Sequence, residues 1–362
     1  MIGRQGTGKS LVAQMLYLFR GLPSLVHFDA ATRRSDEPQA TDAAMVLQRV
    51  VDGLRSTRRS FASLTDPNAT IEWSWETTRF SFESRHDTRQ IQPNEAMKAE
   101  VNSILKERRP LSSALFIPTE RLFYTLALSP TSMTVIGATN ILELFALFME
   151  DAGRIQANWA DAKPDTEDGC WIRDRLRSEL GGEALRRGRS WRWSFLAGDQ
   201  QKEIDLDMAS SGQRANWPLM LLPQVLFSMR AAGELTEHFT LYVEEPEIHL
   251  HPTAERAVVQ VLAYLVNAGF RVVVTTHSLT VLYVLNNLML ASSLEQSTLD
   301  QEIPIELRLH PEKVSAYLLH ERGEIEELID RGEGMMDEQA LGAVADDIAG
   351  QMNRMAGADL PN

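Results

Sequence analysis

The residues from Gly3 to Ser10 read Gly-Arg-Gln-Gly-Thr-Gly-Lys-Ser, which fills the spacing Gly-x4-Gly-Lys-Ser/Thr. A glycine-rich turn of this kind aims successive backbone N–H groups inward and forms a nest for phosphate oxygens. Gly3, Gly6 and Gly8 lack a Cβ and can take the positive φ that tight wrapping needs, while Arg4, Gln5 and Thr7 complete the turn. Lys9 is then expected against the β- and γ-phosphates of a nucleotide, and the Ser10 hydroxyl on the accompanying magnesium ion. Leu11, Val12, Met15, Leu16 and Leu18 follow at helical spacing, so Leu11 opens a helix whose N-terminus adds partial positive charge.

Three other stretches carry chemistry. The apolar run Phe239 to Val243 ends in Glu244-Glu245-Pro246-Glu247. Carboxylates at the end of a buried strand need a cation or hydrogen bonds to offset desolvation. One of the pair can hold magnesium and the next can polarise the attacking water, which points to Glu244 and Glu245 in those roles. A second apolar run, Arg271 to Thr275, ends at Thr276-His277-Ser278, and its tip places His277 where a γ-phosphate or an attacking water would lie. Ala209-Ser210-Ser211-Gly212-Gln213 precedes a helical stretch and offers a serine hydroxyl and backbone N–H groups to an anion. His249 and His251 have a spacing that would suit zinc, but no third ligand follows at a sensible interval.

The elements that must position these residues alternate between strand and helix. Phe239–Val243, a helix Thr253–Ala268 and Arg271–Thr275 form a parallel crossover unit. Leu115-Phe116-Ile117 reads as another short buried strand, stopped by Pro118 and followed by Thr119-Glu120-Arg121 at the edge where ligands gather. Thr70 to Ser84 alternates as a β-hairpin with a turn over Glu76 to Arg79. Helices are expected over Ala40–Arg55, Asn94–Arg108, Asn140–Trp159, Trp171–Leu180, Trp217–Ala232 and Asp337–Met355, with Gly181-Gly182 ending the fourth. Two further strands are expected at Trp191–Phe195 and Glu203–Leu206, and short alternating segments over Ile303–Glu327. Only Met1 and Ile2 precede Gly3, too few for the parallel strand that normally delivers such a loop. Either residues upstream of Met1 belong to that strand, the favoured reading, or another segment takes its place.

Composition bounds the rest. With 362 residues there is room for two ordinary domains or one large α/β domain with an insertion. A hydrophobic share of 44% with 24% charged residues belongs to a globular protein, and no apolar stretch reaches the length of a membrane span. A single cysteine, Cys170, and the absence of a basic, apolar leader fit a cytoplasmic protein with no membrane role. The net charge of −14 makes the chain a poor general polyanion binder. The exception is local. Seven arginines lie between Arg173 and Arg192, interleaved with Trp171, Trp191 and Trp193, a composition that a nucleic-acid groove would use. The rival reading is a mixed, solvated face, since Asp174, Glu179 and Glu183 lie among them.

Gly3 to Ser10, Ser210 to Gln213, Glu244 with Glu245, and His277 together resemble the four nucleotide motifs of an ABC-type ATPase. The wording Val243-Glu244-Glu245-Pro246-Glu247-Ile248-His249-Leu250-His251-Pro252 and Thr275-Thr276-His277-Ser278 is similar to the RecF, SMC and OLD-like branch, notably small AAA-type ATPases of bacterial phage-defence operons. Phe116 to Arg121 resembles that branch's Q-loop segment, although neither Thr119 nor Glu120 is a glutamine. The resemblance implies an α/β P-loop ABC-type ATPase head with a parallel core sheet, an antiparallel β-subdomain and a helical insertion. It implies ATP and Mg²⁺ as cofactors, Lys9 and Ser10 as phosphate and magnesium residues, Glu244 as the magnesium-associated acid, Glu245 as the catalytic base and His277 as the switch histidine. Ser210, Ser211, Gly212 and Gln213 would form a signature that covers the nucleotide of a second ATPase subunit, with Ala209 in place of the usual leucine. The expected organisation is a loop and hairpin lobe over 1–121, an arginine-rich insertion over 122–208, a signature and carboxylate lobe over 209–330 and a C-terminal acidic helix over 331–362. A homodimer acting on a separate effector protein is the expected assembly. A transporter subunit and an ATP-holding scaffold without turnover are the alternatives.

Overall fold

The computed structural model describes residues 1–3, 7–17, 114–122, 124, 140–162, 166–188, 190–235, 238–294, 302–321 and 323–337, the backbone of 70–75 and 78–83, and helical residues 95, 99, 102, 350–351 and 354. The helix expected over Ala40–Arg55 and the loop residues Arg4, Gln5 and Gly6 lie outside the described residues, as does most of the helix expected over Asp337–Met355.

Helix α1 covers residues 9–17. The hairpin β1 (Thr70–Trp75) and β2 (Thr78–Glu83) pairs Trp75 with Thr78, a tighter turn than the four residues expected. Strand β3 (Ala114–Ile117) is followed by helices α2 (Asn140–Ala162) and α3 (Glu167–Leu180). Thr166 caps α3 by accepting from the Gly169 N–H, and Gly181 closes it at φ +69°. An antiparallel meander follows: β4 (Glu183–Arg187), β5 (Ser190–Ala197) and β6 (Gln200–Asp205). The sequence pattern gives two strands here, matching β5 and the second half of β6; the one it does not give is β4, whose Glu-Ala-Leu-Arg-Arg carries little apolar alternation, while β6 is an exposed edge strand held by backbone pairing.

Helix α4 (Ser211–Ala231) begins six residues before the expected Trp217. Pro218 looks like an N-terminal proline, but the start is set by a capping box in which Ser210 Oγ accepts from the Gln213 N–H and the Gln213 side chain accepts from the Ser210 N–H. From Ala215 to Phe227 every residue of α4 is buried, so this is the central helix of the molecule. Strand β7 (Thr240–Glu244), helix α5 (Pro252–Asn267) and strand β8 (Arg271–Thr275) make the expected parallel crossover, and α6 (Leu279–Ser293) leaves the end of β8. Short strands β9 (Tyr317–Leu319) and β10 (Ile325–Glu327) pair antiparallel.

The core sheet runs β3, β7, β8 in parallel register, with Ile117 opposite Val243 and Glu244 opposite Thr275. The place beside β8 is taken by Met1 and Ile2: Thr276 N–H donates to Met1 O at 3.0 Å, and Ile2 exchanges hydrogen bonds with Tyr317 and Leu319 on its other side. Among the described residues no other segment enters that slot. Alternation along the strands separates two layers. Phe116 and Tyr242 face α1, where they meet Ala13 and Tyr17, whereas Leu115, Ile117, Leu241 and Val243 face the large core of α2, α4 and α5. No described helix is long and apolar enough to cross a membrane.

The meander joins α3 at close quarters. Gly182 has φ +156°, and a Cβ there would lie 2.5 Å from the Ser194 carbonyl oxygen. We expect Gly182→Ala to cost about 2–4 kcal/mol of unfolding free energy, because backbone must move on both sides of the contact. Urea denaturation followed by tryptophan fluorescence measures this, with Gly188→Ala, where a Cβ meets nothing within 4 Å, as the milder comparison.

Candidate functional site

The C-terminal ends of β3, β7 and β8, together with the loop entering α1, meet at one edge of the sheet. Lys9 begins α1 and is 5% exposed; its Nζ donates to the Gly3 carbonyl at 2.7 Å. Burial pushes the ammonium below the ordinary lysine range, opposed by the charges of Glu245 and then Glu247. Gly8, at φ +88°, turns the chain into the helix.

Glu244 ends β7 and is 1% exposed. Its Oε2 accepts from the Thr119 N–H at 3.1 Å and the Thr119 hydroxyl at 3.4 Å, whereas Oε1 is buried without a hydrogen-bond partner. Desolvation raises this carboxyl above its usual range; the Thr119 amide, and the Ser10 and Thr119 hydroxyls, pull the other way. Ser10 therefore lies within reach of the Glu244 carboxylate, one oxygen of which is buried without a hydrogen-bond partner. An oxygen-rich set of this kind fits a hard divalent cation such as Mg²⁺.

Glu245 has φ +41°, the left-handed region, although it precedes a proline. Two bonds hold it there: its N–H donates to Thr275 O at 2.9 Å and its carbonyl accepts from Arg121 Nη2 at 2.9 Å. His277 Nδ1 stands 3.6 Å from Glu245 Oε1 and 3.6 Å from Glu247 Oε1.

Two residues of this edge have roles that the sequence did not assign: Arg121, expected only as part of the segment after β3, and Asn216, which carried no signal. Arg121 is 0% exposed and donates five hydrogen bonds, to the carbonyls of Ala215, Pro118, Glu244 and Glu245 and to Asn216 Oδ1. Burial pushes it down to about 10, resisted by Glu247, Glu244, Glu245 and Glu120 in that order, so it stays charged. Asn216 donates to the carbonyls of Gly212 and Ile248. A planar arginine beside a strand end followed by acidic residues was the only available hint. Apart from Pro118, its partners lie 94 to 124 positions away, beyond any local pattern.

Ser210 to Gln213 stand apart from this cluster, at the N-terminus of α4, with Ser210 and Ser211 exposed. Gly212 lies against the acidic loop: a Cβ there would come within 2.5 Å of the His249 carbonyl oxygen. His251 caps α5, its Nδ1 accepting from the Thr253 N–H at 3.4 Å, and no group of three metal-ligating side chains occurs among the described residues.

The arginine-rich stretch does not offer the expected stacking surface. Trp191 and Trp193 are each 1% exposed and belong to the core, and Trp171 stacks on Tyr264 at 4.4 Å. Arg173, Arg175, Arg177, Arg186, Arg187 and Arg192 face Asp174, Glu179, Glu183, Glu150, Glu203 and Asp205 respectively. Arg189 lies outside the described residues. Each of these six arginines thus has a carboxylate beside it, drawn from α2, α3, β4 and β6.

A family model described as an AAA ATPase domain matches residues 54–282, more than half of the chain, beginning after the glycine-rich loop. Similar solved structures include an Smc head bound to the C-winged helix domain of ScpA, at 16% identity and a TM-score of 0.35, covering 78% of this chain and 82% of that one. Another is an Smc head domain with an extended coiled coil, bound to the C-terminal domain of ScpA, derived from Pyrococcus furiosus, at 14% identity and a TM-score of 0.31, covering 78% and 84%. No curated protein sequence matches the chain.

Two outcomes follow from this geometry. Arg121→Ala should cost about 3–5 kcal/mol in chemical denaturation, since it strands buried carbonyls and leaves the carboxylates uncompensated, while Arg121→Lys should cost about 1–3 kcal/mol. Glu244 has the opposite sign. A carboxyl whose folded pKa is raised contributes stability that is complete below the ordinary carboxylate range and is lost as pH rises through the folded value. At pH 7.5 with a chelator present, Glu244→Gln should therefore be more stable than the parent by about 1–2 kcal/mol. Adding Mg²⁺ with ATP should raise the melting temperature of the parent and leave the variant unchanged.

Proposed function

Because this chain belongs to the AAA ATPase domain family, we propose that it is an ABC-type ATPase subunit that closes on a second copy of itself around ATP and Mg²⁺ and so controls a separate effector protein, in phage defence or DNA metabolism. The observation that carries the reading is the convergence of Lys9, Ser10, Glu244, Glu245 and His277 on one sheet edge. In this reading Lys9 binds the β- and γ-phosphates at the N-terminus of α1. Ser10 and the unpartnered Oε1 of Glu244 hold the metal. Bound there, Mg²⁺ would neutralise charge that develops on the phosphates. Glu245 orients the attacking water and takes its proton, and His277, whose Nδ1 lies 3.6 Å from Glu245 Oε1, steadies the same water.

The assembly follows from the second, separate anion site. Ser210 and Ser211 at the start of α4 are exposed, and the N-terminus of a helix favours an anion. A phosphate brought by another copy would satisfy it. ATP held between the two would favour the closed pair, and hydrolysis would release it, a shift driven by differential contacts. The transporter alternative has no observation in its favour.

Glu245→Gln should lower phosphate release by about 10²–10³-fold and accumulate an ATP-bound dimer in sedimentation velocity. Lys9→Ala should abolish nucleotide binding. A Glu245→Gln chain that stays monomeric at saturating ATP would remove the dimeric mechanism.

A further inference from the structure

Glu247 has no role in the site described so far, yet it is a carboxylate only 7% exposed. Its Oε1 accepts from the Thr276 hydroxyl at 2.6 Å and from the His277 backbone N–H at 3.0 Å. The Thr276 hydroxyl in turn accepts from the Ser278 N–H at 3.0 Å, and the Thr276 N–H is held by Met1 O. One carboxylate oxygen thus fixes the turn by which the chain leaves β8 and enters α6. The same oxygen lies 3.6 Å from His277 Nδ1, which is equally far from Glu245 Oε1.

Two features go beyond what a loop anchor requires. A neutral acceptor such as glutamine would satisfy Thr276 and the His277 amide without burying a charge. Instead a charged group stands here, and its Oε2 is buried with no partner. Further, an Nδ1 lone pair facing two carboxylates would be repelled, whereas an Nδ1–H is attracted to both. An Nδ1–H would leave Nε2 as the ring atom free to act on the half-exposed side chain.

We propose that Glu247 is a positioning residue for His277, setting both its exit from β8 and its Nδ1–H tautomer so that the ring lies against Glu245. The proposal rests on the ATPase reading for its consequence in turnover, but its structural half can be read without turnover.

The test uses the full chain and Glu247→Gln, which keeps an acceptor for the turn and removes the charge. Nitrogen-15 NMR of the labelled protein without nucleotide should show His277 with the proton on Nδ1 in the parent, and a shift of both ring nitrogens toward the opposite tautomer in the variant. In steady-state assays Glu247→Gln should lower kcat about tenfold with KM nearly unchanged, the size of effect usual when a supporting partner is lost. In a His277→Ala background the same substitution should have no further effect. Unchanged His277 nitrogen shifts, or an equal loss of kcat in both backgrounds, would overturn the proposal. Absence of any ATP turnover by the parent would instead overturn the ATPase reading, and the nitrogen shifts would still decide the role of Glu247.

Discussion

The buried guanidinium of Arg121 is the constraint on which the rest of the site depends. Three glutamates stand within four positions at the end of β7, two of them almost fully buried, and carboxylates in such a place are costly unless charge is returned to them. Arg121 returns it without pairing directly with any carboxylate. Its donors go to backbone carbonyls of Pro118, Ala215, Glu244 and Glu245 and to Asn216, so its geometry is fixed by the main chain while its charge acts on Glu247, Glu244 and Glu245 through space. Only a planar fork with five N–H groups can serve so many acceptors from one position. The carboxylates are thereby left with free oxygens, which is the condition for binding a cation.

The same side chain ties together elements with different tasks. The acidic loop receives Arg121 on its Glu244 and Glu245 carbonyls, and Asn216 of α4 on its Ile248 carbonyl, while Gly212 closes against His249. The N-terminus of α4 and the acidic edge therefore contact one and the same loop. Under the proposed dimeric mechanism, a phosphate captured at Ser210 from the partner would load the very segment that carries Glu245. That provides a physical route between two nucleotide sites with no moving part larger than a loop.

Much of this was legible in the sequence where a signal is local. Buried parallel strands announce themselves as short apolar runs, and the acidic and histidine tips follow from where those runs stop. Local signals failed where the deciding partner is remote. The start of α4 was misplaced because Pro218 imitates a first-turn proline, while Ser210 and Gln213 form the actual cap. The arginine run looked like a basic surface because Glu150, Glu203 and Asp205, which neutralise Arg186, Arg187 and Arg192, come from α2 and β6. Strand β4 escapes the sequence for another reason: Glu-Ala-Leu-Arg-Arg carries little apolar alternation, and its existence depends on β5 beside it. Arg121 was quoted as part of a motif, but nothing near it in the chain says that it will be fully buried.

Several departures from ordinary protein stereochemistry and solvation fall together in the acidic loop. Glu244 has one oxygen without a partner, Glu245 has a left-handed backbone, and Glu247 has another orphaned oxygen. Each is unfavourable in isolation, at about 1–3 kcal/mol for a strained backbone or an unsatisfied buried polar atom. A fold that only needed to end a strand would relieve them, since serine or asparagine could cap the same turn. They persist here because Arg121, Lys9, Thr119 and Thr276 hold the surrounding atoms in place. Under the proposed ATPase mechanism, a cation and a polyphosphate would complete the strained backbone and unpaired oxygens held here beside the glycine-rich turn.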